Sequence, residues 1–148
     1  MSFMQVSRRV DYALRAVIHL ASEENAGRVC TSAEIAEREQ IPKTFLEKIF
    51  QQLLRNRVLR SRRGPNGGYE LGRPANQLSF RDVIEAVEGP IALNVCVGEH
   101  PDCSLLGTCG MNRVWAEGQR RVMDLFESTT IESVRNPAPA RTPPTTPV

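Results

Sequence analysis

The segment from Gly64 to Gly68 reads Gly-Pro-Asn-Gly-Gly, and this turn restricts the fold more than any other stretch of the chain. Short runs of strand-forming residues flank it, from Val58 to Arg63 and from Tyr69 to Leu71. Glycine and asparagine adopt the backbone angles that tight hairpin turns require. The pattern therefore predicts a β-hairpin of two short strands.

Two short helices are predicted directly before this hairpin. Thr31, followed by Glu34 three residues later, has the form of a capping box, which opens a helix that runs to about Glu39. Pro42 suits the first turn of a second helix, whose apolar face extends over residues 43–56. Two short helices joined by a tight connection predict a helix-turn-helix, and a hairpin behind it predicts a wing.

Apolar residues at three- and four-residue spacing predict three further helices, from about Ser7 to Glu23, from Leu78 to Glu88, and from Met111 to about Ser128. The last has a broad apolar stripe, which we expect to be buried against a second subunit as well as against its own core. The predicted fold class is therefore mainly α with a small β-hairpin wing: a winged helix-turn-helix followed by a long C-terminal dimerisation helix.

The chain divides into four predicted segments. Residues 1–89 form the winged helix-turn-helix domain, residues 90–110 a cysteine-bearing loop, and residues 111–134 the dimerisation helix. Proline makes up five of the last thirteen residues, so we expect residues 135–148 to be a disordered tail.

Three cysteines, Cys96, Cys103 and Cys109, lie within fourteen residues that also contain several glycines. Thiolates are soft ligands that suit iron-sulfur clusters, zinc or Cu(I), and three of them leave one coordination position open. Zinc is less favoured, because structural zinc sites usually pair ligands at shorter intervals. Ferredoxin-type cysteine spacing is also absent, which argues against an electron-transfer protein. A cluster-free regulator, controlled by a disulfide switch of the same thiols or by a protein partner, is a further alternative.

Composition and motifs exclude several other classes of protein. No apolar run approaches the roughly 18 residues of a membrane helix, and the N-terminus lacks a secretory signal, so we expect a cytoplasmic protein. In that compartment clustered cysteines more often bind metal or react than form structural disulfides. The absence of catalytic motifs predicts a protein that is not an enzyme. Cys30 lies away from the other cysteines and is expected to be a small buried hydrophobe.

Basic residues are concentrated where a winged helix contacts double-stranded DNA. In a helix-turn-helix the N-terminal residues of the second helix meet base edges in the major groove. Carboxylate and ammonium groups there accept from cytosine or donate to guanine and phosphate. Five arginines fall within residues 55–63, and those at the wing suit phosphate contacts or a narrow minor groove. The predicted DNA-binding residues are Lys43, Thr44, Glu47, Lys48, Arg62, Arg63 and Gly64.

Over about residues 4–134 the chain resembles the Rrf2 family of winged-helix iron-sulfur repressors. The resemblance rests on residues 11–14 (Asp-Tyr-Ala-Leu), on residues 45–49 (Phe-Leu-Glu-Lys-Ile), on the wing sequence of residues 62–71, and on the three cysteines downstream. It implies a homodimeric bacterial transcription regulator that binds a palindromic operator. It also implies that an iron-sulfur cluster, with 4Fe-4S favoured and 2Fe-2S possible, controls the affinity for DNA.

The resemblance also implies a fourth cluster ligand. Family members of the IscR type use a histidine three residues after the last cysteine, but this chain has Asn112 there. Members of the NsrR type use an N-terminal aspartate of the partner subunit, which corresponds to Asp11. The expected ligands are thus Cys96, Cys103, Cys109 and Asp11, with His100 or an external ligand as alternatives. This exchange favours nitric oxide as the signal over iron supply or general redox state.

Overall fold

A computed structural model describes residues 5–135. Helix α1 (Arg8–Ala21) begins where the Ser7 hydroxyl accepts a hydrogen bond from the Val10 N–H at 3.3 Å. Its apolar face lies at the centre of the hydrophobic core and packs against most of the other helices. The buried residues of this face are Val10, Ala13, Leu14, Ala16, Val17, Leu20 and Ala21.

The helix-turn-helix consists of α2 (Ser32–Glu39) and α3 (Lys43–Arg55). Gln40, in the left-handed conformation with φ 54°, ends α2, and the buried Ile41 follows in the connection. The Thr31 hydroxyl accepts from the Glu34 N–H at 3.1 Å, as the predicted capping box requires. The Glu34 carboxylate, however, accepts from the Arg28 guanidinium, so the other half of the box is replaced by an ion pair.

The predicted hairpin is formed by β1 (Leu59–Arg62) and β2 (Gly68–Leu71), which pair antiparallel with Leu59 opposite Leu71. A single residue, Cys30, adds a third position to this sheet because it pairs with Tyr69 on β2. Cys30 is fully buried, in agreement with the prediction that it is a small hydrophobe. The wing is therefore attached to the segment that leads into α2.

Helix α4 (Phe80–Glu88) starts with a complete capping box between Ser79 and Asp82. After the cysteine loop come α5 (Asn112–Ser128) and the short α6 (Ile131–Arg135). The helical pattern was predicted to end at about Ser128, and α5 ends there. The rest of the segment 111–134, which was assigned to the dimerisation helix, becomes extended at Thr129 and pairs with Ser79 through Thr130. This pairing allows the side chain of Ile131 to enter the core, where it is fully buried.

The predicted fold class is confirmed: helices predominate, and the two described strands form the wing. Each predicted helix end differs from the observed one by no more than two residues, apart from the break before α6. The predicted tail lies outside the described residues, except for Arg135, which ends α6. Among residues 5–135 no helix has the length and apolar character needed to cross a membrane.

Candidate nucleic-acid interface and cysteine loop

Helix α3 separates its apolar and polar residues onto two faces. Leu46, Ile49, Phe50 and Leu53 are buried and hold the helix against the core. The residues predicted to contact DNA are all exposed near the N-terminal end, namely Lys43, Thr44, Glu47 and Lys48. A solvent-facing N-terminal half of the second helix is the arrangement that major-groove recognition requires.

Two of these side chains already interact with each other. The Lys43 ammonium lies 3.7 Å from the Glu47 carboxylate, one helical turn away. Both side chains are about half exposed, so the ion pair is weak and can be exchanged for contacts to bases or phosphates. The other two predicted side chains, Thr44 and Lys48, have no side-chain partner among the described residues.

The wing arginines differ in how they are held. Glu70 on β2 accepts from the Nε of Arg60 at 2.7 Å and from the Nε of Arg62 at 3.1 Å. The Glu70 side chain is only 12% exposed and is therefore well ordered between the two. Arg63 is exposed and has no side-chain partner within the described part of the chain. Arg63 is thus the wing arginine that is free to reach DNA, and Gly64 beside it has φ 107° at the turn.

The sequence did not identify Glu70 as a functional residue. Its role follows from strand register, because Glu70 lies directly opposite Arg60, and Arg62 is the next residue of β1 on the same face. Once the hairpin turn is fixed, this register can be counted along the sequence, so the signal was present in the spacing of the three residues.

The three cysteines of the loop border one cavity. Cys96, Cys103 and Cys109 line a single cavity of about 100 Å³ between the loop and the start of α5. Leu105, Leu106, Met111 and Trp115 form most of the remaining wall. All three cysteines are free and partly exposed. The three predicted cysteines therefore border a common apolar cavity, although their side chains are not arranged as a metal site within the described part of the single chain.

Two amide side chains anchor this loop to α5. Asn112 donates from its Nδ2 to the carbonyl oxygen of Cys96 at 3.5 Å. Gln119 accepts from the Leu93 N–H at 2.9 Å and donates to the Ile91 carbonyl at 2.7 Å. Gln119 thereby fixes the first residues of the cysteine loop, a role that its position in a helical pattern did not reveal.

The predicted fourth ligand is not brought to the thiols within one chain. Asp11 is 62% exposed on α1, where its carboxylate pairs with Arg15 at 3.3 Å, and it does not line the cysteine cavity. The alternative ligand, His100, is exposed and also does not line this cavity. Within residues 5–135 no three His, Cys, Asp or Glu side chains are arranged to hold a metal ion.

The fourth cysteine has a different chemical environment. Burial raises the pKa of the Cys30 thiol above its usual value, and the nearby Arg28 guanidinium offsets part of this effect. A buried thiol that favours its protonated form is a poor nucleophile and a poor metal ligand. Cys30 is therefore separate in both position and reactivity from the three loop cysteines.

The arrangement of a helix-turn-helix, a wing and a cysteine loop agrees with comparisons to known proteins. The family model Rrf2, described as an iron-dependent transcriptional regulator, matches residues 6–137. The chain belongs to the Rrf2 family. It is 31% identical over 133 residues to the transcriptional regulator IscR of Pectobacterium carotovorum, an alignment that covers 90% of this chain and 80% of that one.

A second relative of this Rrf2 protein comes from Mycobacterium tuberculosis and is provisionally named an HTH-type transcriptional regulator. The two chains are 33% identical over 133 residues, and the alignment covers 88% of this chain and 81% of that one. The structure of CymR, the global cysteine regulator of B. subtilis, matches with a TM-score of 0.72, and the match covers 90% of this chain and 97% of that one. Its 24% identity supports the fold alone. This Rrf2 protein is therefore a DNA-binding transcriptional regulator and not an enzyme.

Proposed function

We propose that the protein is a homodimeric repressor that binds a palindromic operator and whose affinity for it depends on a 4Fe-4S cluster. The observation that carries the proposal is the convergence of Cys96, Cys103 and Cys109 on one apolar cavity. Cysteine thiolates are the ligands that hold iron-sulfur clusters, so the residue types around this cavity suit the group, although within residues 5–135 of one chain they are not arranged as a metal site. When bound, such a cluster supplies a redox-active centre that cross-links its protein ligands.

The fourth ligand comes from the partner subunit in this proposal. Among the described residues the cavity wall contains no carboxylate or imidazole, so these residues of one chain supply three ligands. Asp11 is an exposed carboxylate whose described partner is Arg15 on the same helix, and it is therefore available to another chain. A carboxylate is a harder ligand than a thiolate and binds iron-sulfur iron less tightly. Nitric oxide or oxygen would therefore attack the cluster at the iron that Asp11 binds, and iron would be lost from that position first.

Dimerisation is supported by the exposure of α5. None of its seventeen residues is buried in the single chain, although its apolar stripe includes Val114 and Leu125. A helix with this pattern is expected to bury the stripe against another subunit. The cysteine loop is anchored to the same helix by Gln119, so a change at the cysteines is passed directly to the dimer contact.

DNA binding then depends on the spacing of the two subunits. Helix α3 of each subunit enters a major groove, and the two must lie about 34 Å apart to meet successive turns of the duplex. Arg63 at each wing contacts phosphate or the minor groove. Because Asp11 of one subunit would hold the loop of the other, loss of the cluster would change this spacing and lower the affinity for the operator.

Purification without oxygen tests the cluster. The protein should be brown and contain iron and sulfide in near-equal amounts, whereas Cys103→Ala and Asp11→Ala should lose most of both. Cys30→Ala is the matched control and should retain the cluster, because Cys30 is buried away from the loop. Operator binding is measured on a duplex selected from a random pool by the wild-type protein. A colourless, iron-free protein with full operator affinity would disprove the proposal.

A second candidate function uses the same convergence of thiols. Two of the three free loop cysteines would form a disulfide upon oxidation, and this bond would replace the cluster as the signal. DNA binding would then respond to reductant and persist after treatment with an iron chelator. The iron and sulfide analysis therefore separates the two candidates, since the disulfide switch requires neither element.

A further inference from the structure

A second cavity lies at the base of the wing and shares no lining residue with the cysteine cavity. It has a volume of about 360 Å³ and is enclosed by the C-terminal end of α1, the turn at residues 25–28, the end of β2 with residues 72–75, and α6. We refer to it as the arginine pocket. Its lining includes four arginines, namely Arg28, Arg60, Arg73 and Arg135.

The arginine pocket has an excess of positive charge. Among residues 5–135 Glu70 is the single acidic residue of its lining, and it is bound to Arg60. Each of the other three arginines forms an ion pair with a carboxylate outside the lining. These pairs are Arg28 with Glu34, Arg73 with Asp82 at 3.8 Å, and Arg135 with Glu132 at 3.3 Å. A guanidinium has five N–H donors, so each retains donors for a further acceptor.

Two of these donors are buried without any acceptor. The Nε of Arg73 and the Nε of Arg135 are both inaccessible and lack a hydrogen-bond partner in the described structure. A buried, unpaired donor on a charged group is costly, and native proteins normally satisfy it. Because both Nε atoms are inaccessible, a ligand in the cavity would meet the other guanidinium nitrogens of Arg73 and Arg135, which line the same cavity.

A neighbouring cavity provides a contrast. It shares Arg135 and contains Arg15, His19 and Arg38, but Glu24 and Glu39 also line it. Arg38 pairs with Glu24 at 3.2 Å, and His19 pairs with Glu39 at 3.0 Å. Two of its basic side chains are therefore matched by acids of its own lining, although the Nε of Arg15 and the Nε2 of His19 are also buried without a partner in the described structure. The arginine pocket lacks this internal balance.

From this geometry we infer that the arginine pocket binds a small organic anion, a phosphate or carboxylate group on a compact apolar body. The oxyanion accepts from the guanidinium groups of Arg73 and Arg135, since planar guanidinium donors match phosphate and carboxylate oxygens. The apolar body rests on Leu20, Leu71 and Pro74, which form another part of the wall. The volume is appropriate for a small metabolite.

Such a ligand would link two parts of the molecule that act on DNA binding. Arg73 follows the wing strand β2, whereas Arg135 belongs to α6, which comes directly after the long helix α5. Occupancy of the pocket would hold the wing base and α6 together and thereby bias the position of the wing. This inference does not depend on the cluster, because none of the loop cysteines lines the pocket.

Calorimetric titration of the full chain with phenyl phosphate and with inorganic phosphate tests the inference, with chloride keeping the ionic strength constant. Binding should saturate, and phenyl phosphate should bind more tightly than inorganic phosphate, while uncharged benzyl alcohol should not bind. Arg73→Gln and Arg135→Gln should each weaken phenyl phosphate binding roughly tenfold, because each removes a charge-assisted hydrogen bond. Arg113→Gln, an exposed position on α5, is the matched control and should bind as the wild type does.

Two results would overturn the inference. The first is binding that does not saturate, or that both pocket variants retain while circular dichroism shows them folded. The second is the absence of phenyl phosphate binding together with weaker binding of duplex DNA by Arg73→Gln, which would assign the arginines to the DNA backbone. A third measurement determines operator affinity with and without phenyl phosphate. The inference is supported if phenyl phosphate changes the operator affinity of the wild type and has no effect on that of Arg73→Gln.

Discussion

Cys30 and Tyr69 are joined by two backbone hydrogen bonds, from the Cys30 N–H to the Tyr69 carbonyl at 2.9 Å and from the Tyr69 N–H to the Cys30 carbonyl at 2.7 Å. Cys30 lies two residues before α2, and Tyr69 is the second residue of β2. The ring of Tyr69 also packs on Phe50 of α3, with ring centroids 4.6 Å apart. The wing is therefore positioned by both helices of the helix-turn-helix.

Gly68→Ala should destabilise this attachment. A Cβ atom at position 68 would lie 2.5 Å from the carbonyl oxygen of Cys30, which is backbone and cannot move aside. We expect a loss of about 1–3 kcal/mol in the free energy of unfolding, as for other overpacked sites. Urea denaturation measures this change.

Gly110→Ala provides the matched control, because no atom lies within 4 Å of a Cβ built there. It should change the free energy of unfolding by less than about 0.5 kcal/mol. Equal stability of the two variants would show that the contact between Cys30 and the start of β2 is looser than the structure indicates.

Arg63→Gln should weaken DNA binding more than Arg62→Gln does. Arg63 is free at the wing tip, whereas Arg62 is held by Glu70 and must give up this ion pair to contact DNA. Loss of one phosphate contact lowers the slope of log affinity against log salt concentration by about 1. Fluorescence anisotropy with operator duplex over a range of salt concentrations measures this slope. If both substitutions lower it equally, the ion pair with Glu70 does not restrain Arg62.

The cysteines should differ in their reaction with iodoacetamide. The three loop thiols of the cluster-free, reduced protein are partly exposed, whereas Cys30 is buried and burial raises its pKa. Alkylation requires an accessible thiolate. Mass spectrometry should therefore detect modification at Cys96, Cys103 and Cys109 well before Cys30, which should react after urea unfolds the protein. Modification of Cys30 at the rate of the loop cysteines would contradict the structure.

Much of the fold was predictable because its signals are local. The Thr31 cap of α2 and the glycine-rich turn each depend on a few adjacent residues, and both were confirmed in the structure, although Glu34 pairs with Arg28 and does not complete the capping box. The strand position of Cys30 was missed, because a single paired residue has no alternating pattern. The separate helix α6 was also missed, because its position depends on the pairing of Thr130 with Ser79, about fifty residues away in sequence.

The candidate site was predictable in its residue types but not in its arrangement. Clustered cysteines predicted a common centre, and the structure places them around one cavity. Glu70 and Gln119 were overlooked, since a glutamate or glutamine in a regular element looks like a solvated surface residue. Their roles depend on partners brought close by strand pairing and by helix packing. Asp11 as a cluster ligand stays a prediction, because its site requires a second subunit.

The ion pair of Glu34 and Arg28 should make stability depend on acid pH. The hydrogen bond from Arg28 lowers the pKa of the Glu34 carboxyl in the folded state. The stabilisation is thus present above the carboxyl's unfolded pKa of about 4.3 and is lost as the pH falls through the lower folded value. Thermal melts of the wild type and of Glu34→Gln should differ at pH 6 and converge near pH 3. Glu37→Gln, on the same helix, removes no ion pair with Arg28, so its difference from the wild type should not change between pH 6 and pH 3 in this way.

Val114→Glu and Leu125→Glu should each disrupt the proposed dimer. The two residues are 65% and 60% exposed in the single chain and lie eleven positions apart on α5, about three helical turns, so they share one face. A carboxylate on a face buried between subunits would have no compensating partner, and dissociation would relieve its desolvation cost. Analytical ultracentrifugation should show monomers for both variants and dimers for Arg113→Gln. Because neither residue is buried in the subunit, each variant should keep the wild-type circular dichroism spectrum. A folded, dimeric Leu125→Glu protein would show that the subunits meet through another surface.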